Sequence, residues 1–310
     1  MGPLLILLCT VIWGTAFLAQ KTGAEHYGPF TLTCYRNILA GFFIFAIVAV
    51  RDRFRRPACR GRGGWRVEVV GGTISGAVLF ASMATQQIGI EHTTPGISAF
   101  LTANYILLVP VFSWIVGRGR PGWPIWLGVA LAIAGTYLIS VSPSNLGSLD
   151  FSKLPVGELW TLLCAALFAV QIMVVDRFAP RCDVMRFSMV QMFVAGLCSA
   201  PFMLLPSEAS RITFAHFRAG LFSLFYVGVM SSGIAYPMQN LGQALTPATL
   251  ASILMSFEAV VGLVSGWLVL GDSLTVRQLA GCAFVFSAVV LAQALSSRPS
   301  GGRASPRAAA

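Results

Sequence analysis

Apolar residues run along this chain in ten long stretches separated by short polar breaks. They cover residues 3–20, 30–50, 69–90, 95–116, 121–141, 155–175, 184–205, 220–238, 247–270 and 275–295, each 18 to 24 residues long. A helix that crosses a bilayer needs about 20 mainly apolar residues at ~1.5 Å rise each. The pattern therefore predicts an all-α integral membrane protein with ten transmembrane helices. Gly, Pro and Gln interrupt several stretches, so their ends are read to within a few residues. The first stretch has no basic segment before it and is longer than the apolar core of a signal peptide, so it reads as the first span. Residues 296–310 are rich in Ser, Pro, Gly, Ala and Arg and read as a disordered cytoplasmic tail.

Composition agrees. The chain is 56% hydrophobic and 10% charged, where a soluble domain carries about 25% charged residues; mean hydropathy is +0.77. The spans use about two thirds of the 310 residues, which leaves no sizeable soluble domain. The net charge of +10 would suit nucleic acid, but its distribution follows the loops instead. With the N-terminus inside, the cytoplasmic segments hold 15 basic residues and the opposite side holds 5 (Lys21, Lys153, Arg211, Arg218 and Arg277), with Arg36 inside a span. The positive-inside rule then puts both termini in the cytoplasm. The basic loop 51–66 reads as a topology determinant that touches lipid headgroups, and no nucleic-acid partner is expected.

The seven cysteines show no metal or redox spacing. Five lie within spans, where Cys behaves as a small hydrophobe. Cys59 and Cys182 lie in predicted cytoplasmic loops, where disulfides do not persist. No metal and no cofactor is expected. A Gly-x-x-x-x-Gly-Lys phosphate loop is absent from the sequence, so ATP is not expected to drive this chain.

Glu258 is the outlying position. It lies eleven residues after Pro247 within the stretch 247–270, ~16 Å from a membrane face and close to the middle of a ~30 Å hydrocarbon core. A carboxyl at that depth costs a few kcal/mol by insertion scales, and such residues face a polar cavity or a partner. The halves of the chain also resemble each other. Gln87-Ile88-Gly89 leads to Thr94-Pro95 and a span, and Asn240-Leu241-Gly242 leads to Thr246-Pro247 and a span. Each Pro sits in a first helical turn, where its missing N–H costs nothing. A repeat of five spans must enter from the opposite face on its second pass. That predicts an inverted-topology repeat with a site near the midplane. Tyr105 lies ten residues after Pro95, at a depth matching that of Glu258.

With these motifs in their order, the chain resembles the drug/metabolite transporters of the EamA type. The matching segments are Trp13-Gly14-Thr15-Ala16-Phe17 with Lys21, Tyr35-Arg36, Ser98-Ala99-Phe100-Leu101 with Tyr105 and Val109-Pro110, Asp176-Arg177, Gln191, Ala235-Tyr236 with Gln239, and Ser256-Phe257-Glu258 through Gly266 to Gly271-Asp272. The resemblance covers about residues 3–295. It implies two EamA repeats, 3–141 and 155–295, with spans one to four and six to nine around a central cavity and spans five and ten packed outside. It also implies transport of small metabolites, often the export of amino acids or related compounds. Family members commonly carry Pro after the span-nine Glu, whereas Ala259 stands here, so less kinking is expected at that point.

The candidate cavity residues are Glu258, Arg36, Tyr105, Trp13, Gln86, Tyr236 and Gln239. Glu258 can carry a proton in a transport cycle or bind a substrate amine; the alternative is a structural carboxyl hydrogen-bonded between helices. Arg36 lies ~9 Å into span two and stays charged, so it needs an anion, carbonyls or water; it binds a substrate carboxylate or snorkels outward. Lys21 and Asp176 are possible gate residues; the plainer reading is snorkelling for Lys21 and a solvated helix end for Asp176. Gly72 with Gly76, Gly262 with Gly266, and Gly228, Ser231, Ser232 and Gly233 read as close-packing positions. Glu25-His26 and Glu91-His92 read as solvated loop residues.

An intramembrane enzyme does not fit. None of the three His residues lies deep in a span, no His-Glu-x-x-His helix is present and no pair of Asp residues lies at depth. The remaining readings are a proton-coupled secondary transporter, or a scaffold or lipid scramblase on the same fold. The expected partners are a small-molecule substrate, protons and membrane lipids. The chain is expected to be a monomer or a homodimer in a bacterial inner membrane.

Overall fold

The computed structural model describes residues 1–54, 64–92, 95–117, 120–140, 156–270 and 275–297. Cys59 and most of the basic loop, Thr93-Thr94, Arg118, the loop carrying Lys153, Gly271-Asp272 and the tail from 298 lie outside the described residues. Among the described residues the secondary structure is entirely helical. The helices are α1 (Gly2–Ala24), α2 (Pro29–Phe54), α3 (Gly64–Glu91), α4 (Pro95–Thr102), α5 (Tyr105–Ile115), α6 (Trp123–Ser140) and α7 (Val156–Phe178). There follow α8 (Val184–Ser199), α9 (Pro206–Ala209), α10 (Phe214–Ala219), α11 (Leu221–Phe225), a π-helical segment (Tyr226–Ala235), α12 (Tyr236–Ala244), α13 (Ala248–Met255), α14 (Phe257–Leu270) and α15 (Val276–Ser297). Seven helical stretches are long and apolar enough to cross a membrane, and shorter apolar helices occupy Tyr105–Ile115, Trp123–Gly135 and Leu279–Ala288.

Large apolar side chains such as Phe42, Phe45, Ile115, Leu268 and Val269 are exposed, while Gln87, Gln171, Gln191, Asn240 and Gln243 are buried. That inside-out distribution is what a lipid solvent demands, since buried amides then find partners between helices. Gln191 donates to the Ser75 hydroxyl at 2.9 Å, and Asn240 donates to Gln191 Oε1 at 2.7 Å and to the Ser188 hydroxyl at 2.8 Å. These bonds tie α3, α8 and α12, each worth ~0.6 kcal/mol on average.

Two groups of helices flank the centre. In one, α1 packs on α12, α14 and the π-helical segment, and α2 packs on that same segment. In the other, α3 packs on α7 and α8, and α7 on α4 and α5. The groups meet along α2 and α8, while α6 and α15 pack chiefly on each other. Small residues set the close approaches. A Cβ on Gly76 would lie 2.6 Å from the Gln191 carbonyl oxygen, and one on Gly135 2.6 Å from that of Gly281.

Contacts at the helix ends fix direction. The start of α1 adjoins the end of α12, because a Cβ on Gly2 would lie 3.0 Å from the Gly242 carbonyl oxygen. The end of α1 adjoins the end of α3, where Lys21 donates to the Ile90 carbonyl at 2.8 Å. The start of α7 adjoins that same end of α3, since a Cβ on Gly157 would lie 2.9 Å from the Gly89 carbonyl oxygen. Gln243 near the end of α12 donates to the Ile172 carbonyl near the end of α7 at 3.2 Å. Helices α1 and α7 therefore run antiparallel.

Charged side chains close both ends of α2. Arg51 bridges to Asp183 at 2.7 Å and Arg186 to Asp52 at 2.7 Å, and Asp183 also caps α8 through the N–H groups of Met185 and Arg186. At the other end Glu208, buried, accepts from the N–H groups of Phe30 and Thr31 and from the Thr31 hydroxyl, so its negative charge sits at the N-terminus of α2.

Candidate functional site

Two helices break where they reach the centre. α4 gives way to α5 through a turn at Ala103 and Asn104, where Asn104 Nδ2 donates to the Leu101 carbonyl at 3.0 Å. α13 gives way to α14 at Ser256, whose hydroxyl donates to the Ile253 carbonyl at 2.6 Å. Side-chain bonds of this kind compete with the helix ladder and bend it. Tyr105 is the first residue after one break, and Glu258 the second residue after the other. The interruption before Glu258 thus arises without proline, and Ser256 supplies what the absent Pro after Glu258 does not. The Tyr105 hydroxyl donates to Glu258 Oε1 at 3.0 Å, joining the two groups of helices. Glu258 is 4% exposed and has no cation within ion-pair distance among the described residues.

Arg36 is 3% exposed and turned inward, so it does not snorkel. Its Nε donates to the Ser232 hydroxyl and a terminal nitrogen to the Ser231 hydroxyl, each at 2.9 Å. Both serines belong to the π-helical segment, a conformation that recurs at functional sites. Close approach of α2 makes the contact possible: a Cβ on Gly228 would lie 2.7 Å from Leu39 and one on Gly233 2.9 Å from Phe43. No carboxylate lies within ion-pair distance of Arg36 among the described residues, so hydroxyls alone meet a buried permanent cation.

A cavity lies between these groups. Arg36, Glu258, Tyr105, Trp13, Gln86, Tyr236 and Gln239 all line it, with Gln20, Thr102, Ser231, Phe17, Phe168, Ile172 and Met255. Trp13 donates to the Ser231 carbonyl at 3.2 Å and its ring lies 4.9 Å from that of Tyr236. Gln86 donates to Thr102 at 3.4 Å, and Gln239 to Gln243 Oε1 at 2.9 Å. The cavity volume is ≈ 40 Å³, where one water needs roughly 10–15 Å³, so it has room for a few waters. None of the described residues of α6 or α15 lines it.

Lys21 and Asp176 are not in the cavity lining. Lys21 caps the end of α3, reaching the carbonyls of Ile90 and Glu91 at 2.8 and 3.4 Å. Asp176 is half-buried near the end of α7. Ser231 and Ser232 read from the sequence as packing or flexibility positions, not as partners of Arg36; the signal available was a pair of hydroxyls next to Gly in an apolar span.

A polytopic helical membrane protein with a charge-bearing cavity at its centre has the architecture that a solute transporter needs. The model of the EamA-like transporter family matches residues 1–141 and again 155–293, and the chain belongs to that family. It is 24% identical to an uncharacterized transporter of Archaeoglobus fulgidus over 92% of this chain and 83% of that one. It is 25% identical to a probable amino-acid metabolite efflux pump of Salmonella typhimurium, covering 93% of each. It is 26% identical to a probable terminal-alkyne amino-acid exporter of Streptantibioticus cattleyicolor, covering 92% and 91%. A crystal structure matches the fold with a TM-score of 0.72 at 19% identity, over 96% of this chain and 99% of that one.

Proposed function

We propose that the protein is a secondary transporter that exports small metabolites carrying a carboxylate, amino acids or related compounds, across a bacterial inner membrane by proton-coupled alternating access. The observation that carries this reading is the pair of buried, oppositely charged groups on one cavity, each satisfied only by hydroxyls. Arg36 has the geometry to take a carboxylate through its planar fork. Glu258 accepts a proton or a substrate ammonium. A substrate bearing both charges completes both sites. The names of the Salmonella and Streptantibioticus relatives support amino acids as the first class to test.

The ties between the two helix groups support alternating access. At one end Lys21 bonds the Ile90 carbonyl and Gln87 Nε2 donates to the Gln20 carbonyl at 3.3 Å. At the centre Tyr105 bonds Glu258, and at the other end Gln243 bonds the Ile172 carbonyl. These ties hold the two helix groups together at both ends, and releasing one end at a time would widen the cavity towards one face. We read α4 with α5, α6, the helices of 221–244, α13 with α14, and α15 as spans that complete ten. The antiparallel α1 and α7 support an inverted pair of five-span repeats with both termini cytoplasmic. A dry core would suit a scaffold, and the buried Arg36 and Glu258 argue against one.

The test is counterflow. Proteoliposomes preloaded with unlabelled amino-acid pools are given labelled solutes outside. Accumulation that depends on the internal pool supports the reading; absence of counterflow for amino acids and for other carboxylate metabolites refutes it.

A further inference from the structure

Away from the centre, an apolar groove of ≈ 1100 Å³ opens between α2 and α10–α11. Its floor on α2 runs from Cys34 and Tyr35 to Phe42, and the opposite wall carries Phe217, Phe222 and Phe225. Cys34 to Phe42 spans ~12 Å of helix, most of the ~15 Å depth of one leaflet. Phe42, Phe222 and Phe225 are 60%, 78% and 57% exposed, so the groove faces lipid and is separate from the polar cavity, with which it shares no lining residue. The Tyr35 ring is set edge-on to Tyr27 and Phe217 at 6.1 and 6.3 Å, which shapes the wall.

Charge distinguishes this groove from an ordinary lipid-facing surface. Arg218 lines it and no acidic residue does. Two nearby charges are already matched: Arg211 with Glu91 at 3.0 Å, and Glu208 with the start of α2. Arg218 lies in α10, whose Phe217 carbonyl accepts from the Tyr27 hydroxyl at 2.8 Å just before α2 begins, so the cation belongs to the end of the groove where α2 starts. We propose that the groove binds one anionic phospholipid, with an acyl chain along α2 and the phosphate at Arg218. The proposal does not rest on the transported substrate.

Native mass spectrometry of the full chain tests it, with phosphatidylglycerol and phosphatidylcholine of identical chains offered at equal concentration. One Arg at the membrane surface gives about a fivefold preference for the anionic lipid. Wild type should retain the first phosphatidylglycerol over phosphatidylcholine by that factor, and Arg218→Gln should bring the ratio close to one. Ala219→Trp, at an exposed position in the groove, should lower retention of both lipids, and glycerol phosphate without chains should not compete. Equal retention by wild type, or a preference that persists in Arg218→Gln, overturns the proposal. So does a dimer that Ala219→Trp dissociates, since a second copy would then occupy the groove.

Discussion

Tyr105→Phe removes one oxygen and leaves the ring in place, so it isolates the bond that joins the two helix groups at the centre. The lost contact is a 3.0 Å hydrogen bond between two buried residues, each 4% exposed. Hydrogen bonds between membrane helices measure ~0.6 kcal/mol on average and ~1.7 at most. The coupling between Tyr105→Phe and Glu258→Ala, which removes the acceptor that Glu258→Gln would keep, should fall in that range in a double-mutant cycle, about 3- to 18-fold in rate or affinity. Counterflow kcat/KM in proteoliposomes provides the readout, with the thermal midpoint in detergent as a check on folding. If the hydroxyl acts through Glu258, Tyr105→Phe should do little in the Glu258→Ala background, where no acceptor remains. Effects that add to within ~0.3 kcal/mol would refute a working contact between these two residues.

Other residues give further predictions. Arg36→Lys cannot reproduce two bonds from one planar fork, so the concentration for half-maximal transport of carboxylate substrates should rise at least about tenfold, while Ser231→Ala with Ser232→Ala should lower the thermal midpoint by leaving a buried cation short of ~1–3 kcal/mol of hydrogen bonding per lost partner. Gly14→Ala would put a Cβ 2.5 Å from Val261 and 2.8 Å from the Glu258 carbonyl oxygen and should cost ~1–3 kcal/mol by overpacking; Gly262→Ala on the facing helix meets nothing nearer than 3.6 Å and should be tolerated in the same melting assay. Glu208→Ala leaves three donors at the start of α2 unmatched and should destabilise by ~2 kcal/mol or more, whereas Asp52→Asn, in a partly exposed cluster, should change stability by less than ~1 kcal/mol.

The cavity was legible because polar residues deep in apolar stretches have few physical explanations. Glu258 and the matched depth of Tyr105 followed from position alone, whereas position left Arg36 open between the interior and outward snorkelling; the structure turns it inward and puts all three on one cavity. The breaks before Tyr105 and Glu258 were not legible, because Asn104 and Ser256 act through local backbone carbonyls, a choice that side-chain type alone does not dictate. The π-helical segment escaped notice for a similar reason: hydrophobic periodicity cannot separate one extra residue per turn from an ordinary helix. Lys21 illustrates the limit for charges at helix ends. Its sequence position allowed snorkelling, and only the neighbouring end of α3 shows that it caps carbonyls instead. Glu208, in a four-residue helix between spans, gave no periodic signal, and its role depends on the distant start of α2.

The most direct test of the account loads proteoliposomes with a pH-sensitive dye, adds amino-acid pools and then other carboxylate metabolites, and compares wild type with Glu258→Gln. The account predicts proton movement that depends on substrate in wild type and is lost in Glu258→Gln, with the variant folded by its melting profile and still capable of counterflow. Proton movement of undiminished rate in Glu258→Gln would contradict it and remove Glu258 from the coupling step.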